Sequence, residues 1–81
     1  MRASATVLAV TLGERIQALR DVRGIGRLEL AKMAGLSRSG LGMIERGQRT
    51  PRLAVLERIA DSLGVTPSDL LRSGAARRKG P

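Results

Sequence analysis

Eighty-one residues make one small domain, and a chain of that size buries only about 60% of its unfolded surface, so its core must be economical. Cys, His, Phe, Trp and Tyr are all missing, which leaves no disulfide, no ordinary zinc ligand set and no ring on which a single-stranded nucleic acid could stack a base. Fifteen Lys and Arg against seven Asp and Glu give a net +8, a balance suited to a polyanionic partner.

Thirteen of the fifteen cations are arginines. A guanidinium grips phosphate or guanine with two parallel hydrogen bonds, whereas an ammonium acts as a point charge. No run of eighteen apolar residues is present, so no membrane span is predicted, and a soluble, cytoplasmic protein is expected.

In chain order, residues 1–10, M-R-A-S-A-T-V-L-A-V, read as an N-terminal arm. They carry no turn signal and several β-branched residues, so disorder, extension of the first helix and pairing with a partner chain are all open. The apolar part is too short for a signal-peptide core. Residues 11–73 form the predicted domain. Thr11 and Glu14 make the capping box T-L-G-E that opens a first helix. Leu12, Ile16, Leu19 and Val22 form its predicted buried stripe, with Arg15, Gln17, Asp21 and Arg23 toward water. Gly24 stops it.

Residues 26–47, G-R-L-E-L-A-K-M-A-G-L-S-R-S-G-L-G-M-I-E-R-G, are the stretch around which the rest is organised. A second helix over residues 27–34 places Leu30, Ala31 and Ala34 on one face. Gly35 supplies a left-handed stop, and Ser37 can cap a third helix over residues 38–46. That helix buries Leu41 and Ile44 and turns Arg38, Ser39, Met43 and Arg46 outward, until Gly47 ends it. Two helices joined by so short a turn are how a protein sets a helix into the DNA major groove.

Residues 48–52, Q-R-T-P-R, form a connector that Pro51 keeps from being helical. A fourth helix over residues 53–63 turns Leu53, Leu56, Ile59, Ala60 and Leu63 inward and stops at Gly64. Thr66, Pro67 and Asp69 open a fifth with a cap, a proline in the first turn and an acid near the positive end of the dipole. Leu70 and Leu71 are predicted to pack on the core. Residues 74–81, G-A-A-R-R-K-G-P, are a basic C-terminal tail without apolar periodicity. The reading is an all-α, five-helix domain.

Four segments, L-G-E-R-I-Q-A-L-R, E-L-A-K-M-A-G-L-S-R-S, I-E-R-G-Q-R-T-P and L-E-R-I-A-D-S-L-G-V, resemble in order and spacing the Xre/Cro-type helix-turn-helix family, the phage-repressor-like regulators. The resemblance covers about residues 12–71 and implies a compact five-helix lambda-repressor-like domain. It implies that the third helix enters the major groove, with Ser37, Arg38, Ser39 and Met43 facing bases. Arg38 can reach guanine O6 and N7 together, a contact worth roughly 1–3 kcal/mol of discrimination. Met43 can offer only an apolar surface, suited to a thymine methyl.

Arg23, Arg27, Arg46, Gln48, Arg49 and Arg52 read as phosphate contacts, which supply affinity and register without sequence preference. Arg27 stands where the resembled family usually has a glutamine that also braces the recognition helix. The resemblance further pairs Glu45 with Arg20 in a structural salt bridge. Gly40 and Gly42 depart from the family, and each should cost about 1 kcal/mol relative to Ala in a helix. They either let the helix lie deep in the groove or are tolerated by packing.

The function expected is that of a sequence-specific transcriptional regulator binding double-stranded DNA, a palindromic operator, as a homodimer. Val65, Pro67, Leu70 and Leu71 are its predicted dimer surface. Alternatives are the antitoxin of a toxin–antitoxin pair, with a toxin as partner, and a restriction–modification controller. An enzyme is disfavoured, because the serines lack a base and no glycine-rich phosphate loop precedes a helix. No cofactor, metal, membrane partner or small-molecule substrate is expected, and an effector is disfavoured because no sensing domain fits the length.

Overall fold

The computed structural model describes residues 5–71, and of residues 5–10 the backbone alone. Five helices follow one another: α1 (Ala5–Arg23), α2 (Arg27–Met33), α3 (Arg38–Glu45), α4 (Leu53–Leu63) and α5 (Pro67–Leu71). None is long and apolar enough to cross a membrane. The predicted C-terminal tail lies outside the described residues.

Helix α1 begins at Ala5, so Thr11 and Glu14 lie inside it and do not open it. A capping box defines a start only where the chain before it leaves helical geometry. Residues 5–10 contain no Gly or Pro, so nothing interrupts the helix there. Of the fates open to the arm, these residues take extension of the first helix.

The other boundaries follow local chemistry. Gly35 and Gly47 take φ of 71° and 75°, the left-handed conformation that reverses the chain at each end of α3 and that a Cβ would penalise. Gly24 and Gly64 close α1 and α4 in the same way. The N–H of Thr66 donates to Asp69 Oδ2 at 3.0 Å while that of Asp69 donates to Thr66 Oγ1 at 3.1 Å. This reciprocal cap starts α5.

The core gathers Leu12 and Ile16 of α1, Leu30 and Ala31 of α2 with Ala34 just beyond, Leu41 and Ile44 of α3, Leu56, Ile59, Ala60 and Leu63 of α4, and Leu70 of α5. Leu19, also predicted there, is partly buried against it, and three further predicted core residues are exposed. Val22 is 79% exposed, because six residues of helix carry it about 120° round from Ile16. Leu53 is 66% exposed; it opens α4, at the rim rather than over the core. Leu71 is half exposed, since neighbours on a helix are about 100° apart and Leu70 already takes the inward direction.

Helix α1 packs on α3, α4 and α5, and α2 packs on α3 and α4. Helix α3 is therefore backed from two sides and leaves its first turn, Arg38 and Ser39, and part of Met43 to solvent.

Candidate nucleic-acid interface

The face that α3 leaves open begins at its cap. Ser37 sits in extended backbone before the helix, and its Oγ accepts the N–H of Gly40 at 2.9 Å. The oxygen is thus committed to the helix, while the hydroxyl proton is still available to donate to an anion or a base edge. Arg38 and Ser39 follow, both exposed, and Met43 is half-buried one turn on. Met43 therefore presents only part of its thioether, an apolar contact beside two polar ones.

The opposite end of α3 is locked. The Glu45 side chain has no exposed surface and receives Nε of Arg20 at 2.7 Å and Nε of Arg27 at 2.9 Å. Arg20 makes a second bond to the same carboxylate, from Nη2 to Oε1 at 3.2 Å, and its Nη1 donates to the Ile25 carbonyl at 3.1 Å. The structure thus brings Arg20 and Glu45 together and adds Arg27, so three elements meet at one carboxylate. An arginine at position 27 holds the recognition helix by charge, and at 38% exposure its remaining N–H groups still reach water.

Two residues of α1 complete this lock, and neither was singled out from the sequence. Gln17, expected to face water, donates its side-chain amide to the Glu45 carbonyl at 3.0 Å, satisfying one of the orphan acceptors at the end of α3. Gly13 is where the two helix backbones touch. A Cβ there would lie 2.3 Å from the Glu45 carbonyl oxygen and 2.7 Å from that of Ile44. With α1 running from Ala5, Gly13 lies inside the helix, where glycine costs about 1 kcal/mol and close backbone approach is a reason for it, though the residue alone does not name the partner.

Past α3, Arg46, Gln48, Arg49 and Arg52 are all exposed. Arg46 Nε donates to Gln48 Oε1 at 3.3 Å, a solvent-facing bond that an anion can displace. Counting residues 38–52, four arginines oppose one glutamate. Since that glutamate is buried against two further arginines, the surface from Arg38 to Arg52 shows cations only. Arg23 does not join them. Its guanidinium lies 3.8 Å from where a Cβ on Gly64 would be, at the C-terminal end of α4, while Arg52 caps the other end about 18 Å away. There it meets the negative end of the α4 dipole.

Gly40 and Gly42 are both covered by side chains from their own neighbourhood. A Cβ on Gly40 would touch Ser37 Oγ at 3.0 Å, with Arg49 Nη1 at 4.0 Å; one on Gly42 would meet Arg46 Nη1 at 3.1 Å. The Arg46 guanidinium thus folds back across the bare turn at Gly42. Of the predicted dimer surface, Val65 and Pro67 are partly exposed and Leu71 is half exposed, but Leu70 has no exposed surface. Leu70 faces the core and cannot meet a partner chain.

Comparison with known proteins agrees with this geometry. A helix-turn-helix family model matches residues 16–70. The immunity repressor protein of Bacillus phage phi105 is 42% identical over 62 residues, which are 76% of this chain and 43% of that protein. The chain therefore spans less than half the length of that relative. The crystal structure of the restriction-modification controller protein C.AhdI from Aeromonas hydrophila superposes with a TM-score of 0.74 at 37% identity, over 76% of this chain and 94% of that one. The P22 c2 repressor in complex with a synthetic operator superposes with a TM-score of 0.72 at 33% identity, over 75% of this chain and 92% of that one.

Proposed function

This chain belongs to the helix-turn-helix family, in its Xre/Cro phage-repressor-like branch, and we propose that it is a sequence-specific DNA-binding transcriptional regulator acting as a homodimer on a palindromic operator. The observation that carries the reading is the charge division of α3: its only acid is buried and doubly paired, and its open face and the connector after it expose four arginines. Arg38, Ser39 and part of Met43 read base edges, with the Ser37 hydroxyl donating beside them. Arg46, Gln48, Arg49 and Arg52 grip phosphate, and Arg27 contributes through whatever N–H groups Glu45 leaves it. Binding is the whole of the activity, without catalysis, and its place is the cytoplasm, where bacterial or phage DNA lies.

One such domain touches few base pairs, so two copies on half-sites about 10 bp apart supply the selectivity. Val65, Pro67 and Leu71 offer the apolar part of the dimer surface. The test is a fluorescence-anisotropy titration of the DNA upstream of the gene against a shuffled duplex of equal length. The expected preference is on the order of 10³ or more. Equal affinity for both duplexes would overturn the operator reading.

A second reading draws on a specific likeness, since the matched region makes up nearly all of the C.AhdI chain. In that reading the operator controls a restriction–modification pair. Methyltransferase and nuclease reading frames beside the gene support it, and their absence speaks for a phage-type repressor.

A further inference from the structure

Behind the arginine rim lies a cavity of about 300 Å³ that DNA binding does not explain. Its walls are Leu36 from the turn, Ile44 of α3, Pro51 of the connector and Val55 of α4, and Gly40 forms part of its lining. Arg49, Thr50 and Arg52 complete the lining, and no acid is part of it. Among the described residues neither of these arginines makes an ion pair with an acid.

We propose that this cavity binds a small organic carboxylate with a compact apolar body, and that the ligand acts as an antagonist of DNA binding. The chemistry follows from the lining. An apolar pocket with two arginines in its lining orients an amphiphile with its carboxylate on the guanidinium groups and its tail against the apolar walls. A volume of about 300 Å³ is at the small end of ligand sites, enough for one ring or a short chain. A neutral ligand leaves the arginines unused, and a cation is repelled by both.

Gly40 gains an account here. A side chain at that position would point toward Ser37 and Arg49 and take up part of the space. Its cost in helix propensity, about 1 kcal/mol, thus goes with an open cavity behind the recognition helix. The antagonism rests on the reading of Arg49 and Arg52 as phosphate contacts. One guanidinium cannot grip a carboxylate in the cavity and a phosphate outside it with the same N–H groups.

The test separates the two parts. Benzoate and hexanoate, and the corresponding amides, are titrated into the full chain without DNA and followed by methyl NMR. Saturable shifts confined to Leu36, Ile44 and Val55, with Kd below about 1 mM and at least tenfold weaker binding of the amides, support the site. Val55→Phe fills the cavity and is expected to abolish those shifts while DNA affinity is unchanged. Arg49→Gln with Arg52→Gln, both exposed positions, is expected to weaken carboxylate binding tenfold or more and tests the site even where the phenylalanine disturbs packing. Shifts that never saturate, or equal binding of acid and amide, overturn the proposal. With DNA present, carboxylate is expected to raise the apparent Kd of the wild-type chain and not of Val55→Phe. Binding in the cavity without that competition overturns the antagonism alone, and failure to bind any duplex overturns the DNA reading while leaving the cavity result standing.

Discussion

Arg20 and Arg27 turn their guanidinium groups onto one buried carboxylate, whereas Arg38 at the start of α3 and Arg46, Arg49 and Arg52 in the segment after it are exposed to water. The residue type is identical and the consequences are opposite. A cation spent on Glu45 fixes where α3 lies, and its loss changes folding and weakens every DNA sequence alike. A cation left in solvent contributes nothing to the fold, and its loss is felt only when DNA arrives. Thermal unfolding and DNA titration therefore sort the arginines into two classes, and each variant below tests whether the division holds.

The largest effect is expected at the contact behind the inner set. Gly13→Ala would put a Cβ 2.3 Å from the Glu45 carbonyl oxygen. The obstacle is backbone on both helices, so no side chain can swing away. Overpacking of this kind costs about 1–3 kcal/mol, and the upper end is expected here. In a domain this small that lowers Tm by roughly 12 °C or more. An unchanged Tm would mean that α1 can slide along α3, and the lock would then not be what aims the helix.

Arg20→Ala comes next, at about 2–3 kcal/mol by chemical denaturation. Breaking a buried pair usually costs about 3–5 kcal/mol, but Glu45 keeps Arg27 here. Arg27→Ala is expected to cost about 1 kcal/mol or less, as a 38% exposed side chain is well screened. Should the two arginines prove equal, the carboxylate would be shared evenly and the difference in burial would have no energetic meaning.

Crossing to the outer set, Arg38→Ala should leave stability within about 0.5 kcal/mol. It should also lose roughly 1–3 kcal/mol of preference for the best operator over one substituted at a single guanine. Anisotropy titrations on the two duplexes measure it. A uniform loss on both would demote Arg38 to a phosphate contact.

How much of this division could be read from the chain depends on the range of the interaction behind each feature. Ser37, Gly35 and Gly47 act on the backbone within four residues, so both ends of α3 were legible. Leu30, Leu41, Ile59 and Leu63 follow from helical spacing. Val22 misled because a stripe drawn through it is wider than the buried face of α1, and Leu53 because periodicity reports a face and not how far the core extends along it. Thr11 misled because a good capping pattern cannot show whether the chain before it is already helical. Gly13 and Gln17 meet an atom about thirty residues away, and the cavity needs the turn, the connector and two helices in place together. None of those is written in local spacing.

Gly42→Ala carries the smallest effect and is informative through its sign. Gly42 lies inside α3, where alanine is favoured by about 1 kcal/mol. The atom an added Cβ would approach is Arg46 Nη1 at 3.1 Å, the far end of a flexible and exposed side chain. Arg46 can yield at little cost, so most of the helix-propensity gain should survive, about 0.5–1 kcal/mol. Calorimetry should then show Tm rising by about 2–8 °C. The displaced guanidinium no longer folds across the turn, so DNA affinity should fall modestly, by a similar factor on operator and shuffled duplex, because a phosphate contact carries no sequence information. A fall in Tm would mean that the Arg46 side chain is held over Gly42 more firmly than its exposure implies. Arg46 would then belong with Arg20 and Arg27, on the inner side of the division.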